Sequence, residues 1–395
     1  MSRRFWVTLP LVLVLVASAA CSHGKKDPAV RSIPESSTTA APVADPSTTS
    51  SSAAASSTSA SSATTAKPAG ATTGPSATAT TAPTPASPTV SDHRDSASGA
   101  FIAGDNGAAV ANSPGGTVIK RIRAGVALAV DARQGAWAHV LTPCENRLWV
   151  RLADGHIEPT ADIVLDPGHG GPESGAVGPG GLTEKELNLA VARMTVEELA
   201  KEGVTAALAR TGDYRETLAA RVAVATAMHP KAFISIHHNA EPDGPRPQGP
   251  GTETYYQIGK EVTPAQSAQS KRLAGLIYEE VVKALSAYPA SWMADTDAGA
   301  KYRIGDSGND YYGVLRISGL SGIVGSLAEL AFITNPSEEA LLRRDDVRRA
   351  EAAAVARGIV RFLRTDDPGS GFVTPYPRTE PAGGGGGTEG CQDPV

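Results

Sequence analysis

Apolar positions in the second half of the chain follow two alternating periods. Short apolar runs typical of strands cover residues 163–165, 204–210, 232–237, 251–258 and 323–330. Between them, apolar residues recur at helical spacing, which predicts helices over residues 184–202, 214–228, 264–285 and 337–363. This alternation favours an α/β domain over residues 160–365, with a mixed, largely parallel sheet covered by helices on both faces.

The segment before this domain has a strand pattern only. Short apolar runs between residues 101 and 159 are separated by Gly, Asn, Pro and Asp turn signals, which predicts a small β-barrel over residues 99–159. Residues 109–116, Val126 and residues 137–140 resemble bacterial SH3-like domains found beside cell-wall hydrolases. The resemblance implies a wall-binding or positioning module, and a structural cap on the next domain is the alternative.

The first twenty residues have the pattern of a targeting signal. Arg3 and Arg4 precede an apolar stretch that is too short to span a bilayer and has the length of a secretory signal. Small residues then lead directly to Cys21, as in a bacterial lipobox, although Ser18 stands where Leu is preferred. We expect lipid attachment at Cys21, a membrane anchor and a protein facing the cell wall, with plain secretion as the alternative.

Residues 21–98 are predicted to be a disordered tether. Between residues 34 and 89 the chain is nearly all Ser, Thr, Ala and Pro, without an aromatic residue. Such a composition cannot bury enough apolar surface to offset the entropy of ordering.

Charge and cysteine content exclude some classes of function. The 36 Lys and Arg residues against 41 Asp and Glu give a net charge of -5, which argues against nucleic-acid binding. The three cysteines lack the spacing of a zinc ribbon, so His and carboxylate groups would have to hold any metal. With Cys21 lipidated, Cys144 and Cys391 could form a disulfide that joins a flexible Gly-rich tail, residues 366–395, to the β module. We expect a monomer.

Two histidines lie where a ligand site is expected. His169 and His237 each follow an apolar strand, and the carboxyl ends of parallel strands carry the ligand site in such folds. A hydrolytic zinc site generally takes three protein ligands and leaves one position open. Glu184 and Glu186 both open the next helix and point to different sides of it, so spacing alone leaves the third ligand open. His238 is expected beside the site rather than in it, because neighbouring strand residues point in opposite directions.

Four blocks of sequence resemble zinc-dependent N-acetylmuramoyl-L-alanine amidases, in the order in which that family has them. They are residues 165–171, 183–186, 235–240 and 327–336. The resemblance implies that His169, Glu184 and His237 bind one zinc ion and that Glu329 is the catalytic carboxylate. The alternative for Glu329 is a non-catalytic role, in which its carboxylate forms an ion pair with an arginine such as Arg316.

The same resemblance implies the substrate, which is peptidoglycan. Zinc-activated water would cleave the amide between N-acetylmuramic acid and the L-alanine of the stem peptide, for wall remodelling or daughter-cell separation. Two alternatives are a non-catalytic murein-binding protein on this fold and a zinc peptidase or deacetylase that acts on the same polymer. Residues 288–310 interrupt the alternation and are expected to form a loop beside the groove, with no self-inhibiting helix.

Overall fold

The computed structural model describes residues 98–240, 249–295, 297–375, 381 and 386–395. The predicted signal peptide, Cys21 and nearly all of the predicted tether lie outside these residues. Within the described part of the chain, no helix is long and apolar enough to cross a bilayer.

The first part of the described chain forms an antiparallel sheet of seven strands. In chain order they are β1 (Gly99–Ala103), β2 (Ala108–Ala111), β3 (Val118–Ile122), β4 (Ala127–Gln134), β5 (Trp137–Leu141), β6 (Arg147–Arg151) and β7 (Gly155–Glu158). They are ordered β3-β2-β6-β5-β4-β1-β7 around a core that includes Phe101, Leu128 and Val140. The predicted β module therefore consists of strands, while its relation to SH3-like domains stays a prediction.

The second sheet has six strands and carries the candidate site. They are β8 (Ile163–Pro167), β9 (Ala206–Leu208), β10 (Ala232–Asn239), β11 (Glu253–Tyr256), β12 (Ala300–Lys301) and β13 (Gly325–Phe332), in the order β12-β11-β13-β10-β8-β9. Strands β9, β8, β10 and β13 run parallel, and β11 is antiparallel to β13. The predicted mixed, largely parallel sheet is confirmed.

Helices cover both faces of this sheet, as predicted. They are α1 (Glu184–Lys201), α2 (Leu218–Met228), α3 (Pro264–Leu285), α4 (Gly313–Leu320), α5 (Pro336–Leu342) and α6 (Asp345–Arg364). Strand alternation divides the core: Ile163 and Leu165 pack in the cluster of α1, α3 and α6, whereas Val164 packs with α2 and α4. Apolar runs without strict alternation are typical of strands that are buried on both faces.

The helix predicted over residues 337–363 is wrong as a single element. The backbone leaves the helix at Arg344, which is extended, and α6 begins again at Asp345. Asp345 and Asp346 lie in the first turn of α6, where carboxylates favour a helix start. The helix predicted from residue 214 starts later because Thr217 caps it, its side chain accepting a hydrogen bond from the Ala220 N–H.

The last ten residues differ from the expected flexible tail. Cys391 forms a disulfide with Cys144, in the turn between β5 and β6. Beside it, the buried Asp393 carboxylate accepts hydrogen bonds from the Asn146 side chain (2.8 Å) and the Cys144 N–H (3.0 Å), and pairs with Lys120. These contacts fix the end of the chain on the β module because a buried carboxylate needs such partners.

The disulfide should stabilise the folded chain. Peptide mapping without reduction is expected to recover Cys144 and Cys391 in one linked fragment. The double change Cys144→Ser and Cys391→Ser should lower the free energy of unfolding by about 2–4 kcal/mol, since the open unfolded chain regains conformational freedom. Equilibrium denaturation measures this, and equal stability of the two proteins would contradict the role given to the disulfide.

Candidate metal centre

The loop after β8 presents His169 in an uncommon conformation. His169 has a φ of +61°, in the left-handed region that non-glycine residues seldom adopt. The preceding Gly168 allows close approach of the second histidine, because a Cβ there would lie 2.1 Å from Cε1 of His237. Such backbone strain persists only where surrounding contacts enforce it and is common at functional sites.

Two buried arginines enforce this loop conformation. The Arg221 guanidinium donates hydrogen bonds to the carbonyls of Pro167 (2.7 Å) and His169 (2.6 Å) and pairs with Asp166 (2.6 Å). Arg210 donates to the carbonyls of Pro167 (3.0 Å) and Gly168 (3.1 Å). Three successive carbonyls are thereby fixed. The sequence analysis assigned no role to either arginine.

His169, Glu184 and His237 converge at the carboxyl ends of β8 and β10. One Glu184 oxygen lies 3.2 Å from Nε2 of His169, and the other lies 2.9 Å from Nδ1 of His237. One ligand atom from each residue lies within 4.8 Å of the others. Two imidazoles and one carboxylate are an established donor set for zinc with an open position, so these residues fit that metal.

The two carboxylates that the sequence left open as third ligand have different environments. Glu184 is buried, whereas Glu186 is exposed and accepts a hydrogen bond from the hydroxyl of Thr183 (2.7 Å). Burial opposes ionisation of Glu184, but its contacts with His169 and His237 outweigh this and hold its pKa well below its ordinary value. An ionised Glu184 suits a metal ligand.

Asn188 orients Glu184, a role that the sequence analysis missed. Its side-chain amide donates to Glu184 (3.2 Å), and its oxygen lies 2.8 Å from Nδ1 of the buried His238. His238 in turn lies 3.4 Å from the buried Glu351 of α6. His238 is therefore beside the site: its ring acts on Glu184 through Asn188, and its backbone N–H donates directly to the Glu184 carboxylate (3.2 Å). The four-residue spacing on α1 could have indicated Asn188, because such residues share a helix face.

Glu329 lies on β13 beside the metal-ligand set. In the register it stands next to His237 of β10 on one side and Glu253 of β11 on the other. Its Oε2 atom is buried without a hydrogen-bond partner among the described residues. Burial raises the pKa of Glu329 well above its ordinary value, the charges of Glu184 and Glu253 add to this, and Lys301 opposes it.

Lys301 brings a positive charge close enough to lower the pKa of this carboxyl group. Its buried ammonium lies 3.1 Å from Glu253 and 2.9 Å from Asp297. Glu253 also accepts a hydrogen bond from the Tyr255 hydroxyl (2.6 Å). Glu253, Asp295 and Asp297 have the spacing of a second metal site, but the ammonium already lies against two of them. The predicted loop over residues 288–310 thus contains a short strand, β12, which places Lys301 beside Glu253.

A cavity of about 470 Å³ opens over His169, His237 and Glu329. Tyr311 and Gly313 line one part of it, at the start of α4, which the sequence analysis did not predict. Such a volume is typical of a ligand pocket. The arrangement joins a metal-ligand set with an open face to a carboxyl group of high proton affinity, which is the combination needed for metal-assisted hydrolysis.

Asn188→Ala should weaken metal binding while the chain stays folded. Loss of a group that orients a metal ligand typically costs about 10- to 100-fold in metal affinity. Zinc competition with a coloured chelator measures the affinity, and thermal melting checks the fold. Asn106→Ala, at an exposed turn, is the matched control and should bind zinc as the unmodified chain does. Equal affinity of the two variants would remove Asn188 from this role.

Residues 163–361 match the family model described as N-acetylmuramoyl-L-alanine amidase. The chain is 36% identical over 197 residues to the uncharacterized protein YqiI of Bacillus subtilis (strain 168), covering 50% of this chain and 82% of that protein. It is 35% identical over 202 residues to N-acetylmuramoyl-L-alanine amidase LytC of the same organism, covering 51% of this chain and 35% of LytC.

One solved structure among those similar to this chain is the catalytic domain of CwlV, an N-acetylmuramoyl-L-alanine amidase from Bacillus (Paenibacillus) polymyxa var. colistinus. It has 30% sequence identity and a TM-score of 0.41, over 52% of this chain and 98% of that domain. The matched part of the chain contains His169, Glu184, His237 and Glu329. Because the family model matches residues 163–361, half of the chain, the chain belongs to the N-acetylmuramoyl-L-alanine amidase family.

Proposed function

We propose that this chain is a zinc-dependent hydrolase of peptidoglycan that cleaves the amide between N-acetylmuramic acid and the L-alanine of the stem peptide. The observation that carries this is the position of Glu329, whose buried, unpartnered oxygen lies on the strand beside His237 and the other ligand residues. The family to which the chain belongs supports the bond and the polymer.

His169, Glu184 and His237 would hold the zinc ion through two ring nitrogens and a carboxylate oxygen. Bound there, zinc would polarise the amide carbonyl and lower the pKa of water towards about 7. Arg210 and Arg221 keep His169 in place, and Asn188 keeps Glu184 in place. These residues pre-orient the ligands, so metal binding does not have to order them.

Glu329 would move the proton. Amide hydrolysis needs a base that takes a proton from the attacking water and an acid that gives one to the departing amine. The raised proton affinity of Glu329 suits both steps, since a carboxyl group that ionises at ordinary acidic pH is a poor proton donor near neutrality. Lys301 limits the rise in its pKa, so that the group can still ionise.

The remaining organisation is part of the same proposal. A signal over residues 1–20, lipidation at Cys21 and a tether to residue 98 would hold the enzyme outside the cytoplasm within reach of the wall. The β module would position it there, as a monomer. The matched relative LytC is longer: the chain covers 35% of it.

Product analysis with a matched pair of variants tests the activity. Digestion of purified peptidoglycan should release stem peptides with a free L-alanine amine. Glu329→Gln should keep about one zinc per chain and sediment with peptidoglycan, yet lose roughly 10²- to 10⁴-fold in turnover. Glu186→Gln, an exposed carboxylate in the same helix turn as Glu184, should retain activity.

Three results would contradict the proposal. A zinc-loaded, folded Glu329→Gln chain that turns over at the unmodified rate removes Glu329 from the chemistry. Release of a product other than a stem peptide with a free L-alanine amine indicates a peptidase or deacetylase. Binding of the polymer without any product indicates a murein-binding protein.

A further inference from the structure

The segment Gly386–Val395, at the end of the chain, lines two hollows. The loop that carries His169 also lines both of them. The first is the cavity over the metal-ligand set, where Gly386 forms part of the wall beside Glu173 and Leu218. The second hollow has a volume of about 460 Å³ and is lined by the loop residues Gly171 and Pro172. On its other side it is lined by Gly390, Gln392, Pro394 and Val395.

Several contacts hold this segment against the β module and the loop. The disulfide joins Cys391 to Cys144, and the Pro394 carbonyl accepts a hydrogen bond from the Arg123 N–H (2.8 Å). Arg215 donates to the carbonyl of Gly387 (3.1 Å), and its Nε lies 2.7 Å from the Glu173 carboxylate. The wall is therefore a fixed part of the site.

The segment also completes the start of a helix that supports the centre. The Leu218 N–H, in the first turn of α2, donates to the Gly386 carbonyl (2.9 Å). First-turn N–H groups lack partners within their own helix, so an outside carbonyl stabilises them. Helix α2 carries Arg221, which holds the His169 carbonyl. The segment thus contacts the elements on which His169 depends.

We propose that the second hollow binds the glycan strand of peptidoglycan beyond the bond that is cut, with the disulfide-held segment Gly386–Val395 as its outer wall. The inference rests on the proposed function, because it names how the same site would take a polymer. The loop lines the first hollow with His169 and Glu173 and the second with Gly171 and Pro172, so a polymer that places one amide over the zinc ligands can continue along the loop into the second hollow. N-acetylated sugars present hydroxyl and acetamido groups. The exposed Gln392 carboxamide can both donate to and accept from such groups.

A bulky side chain at Gln392 tests the inference. Gln392→Trp would fill the second hollow without changing a residue that lines the first. Gln134→Trp is the matched control, since Gln134 is an exposed glutamine at the end of β4 that lines neither hollow. Disulfide mapping, zinc content and thermal melting confirm that both variants are intact.

We expect Gln392→Trp to raise KM for soluble peptidoglycan chains by about tenfold and to keep kcat within about twofold. Turnover of a single disaccharide-peptide unit should match that of the control. In the Glu329→Gln background, the same change should weaken sedimentation with the polymer, a readout that needs no catalysis.

Two outcomes would overturn the inference. Gln392→Trp behaving like Gln134→Trp on the polymer shows that the second hollow binds no strand. If Gln392→Trp loses zinc and loses activity equally on the polymer and on the single unit, the segment only stabilises the fold around the metal-ligand set. If the unmodified chain releases no stem peptide but Gln392→Trp still weakens sedimentation, the proposed function fails and the binding hollow stands.

Discussion

The buried ion pair between Asp166 and Arg221 determines the geometry of the metal-ligand set. Moving two charges out of water is costly, and the cost is offset only when their remaining hydrogen-bonding groups find partners. Here the Ser235 hydroxyl donates to Asp166 (2.7 Å), and the guanidinium donates to the carbonyls of Pro167 and His169. Those carbonyls belong to the strained loop. The same hydrogen bonds therefore satisfy the buried guanidinium of Arg221 and hold His169 in its left-handed conformation.

Burial raises the proton affinity of Glu329, and a second buried group of charges adjusts it. The register of β13 places this carboxylate between His237 and Glu253, where two carboxylates on neighbouring strands repel each other. Lys301 pairs with Glu253 and limits that repulsion. Glu184 is held ionised by its histidines while Glu329 has a raised pKa, so adjacent carboxylates have different roles because their surroundings differ.

The sequence predicted the features that depend on local pattern. Short apolar runs alternating with apolar residues at helical spacing predicted the sheet and its helices. The ends of the predicted strands indicated His169 and His237 as site residues. It could not choose between Glu184 and Glu186 without the family resemblance, because burial of one and exposure of the other is a tertiary effect. The role of Lys301 also depends on tertiary structure: β12 has two residues and lies in a stretch without a clear period. The split between α5 and α6 was missed, although the charged residues 343–346 interrupt the apolar spacing there and Asp345 and Asp346 favour a new helix start.

The position of the metal is the most direct test of this account. Anomalous diffraction at the zinc absorption edge, from crystals grown with zinc, locates the ion without assuming any mechanism. We expect one strong peak at about 2.0–2.2 Å from ligand atoms of His169, Glu184 and His237. Zinc bound instead to Glu253 and Asp297, or no peak between the two histidines, would contradict the account.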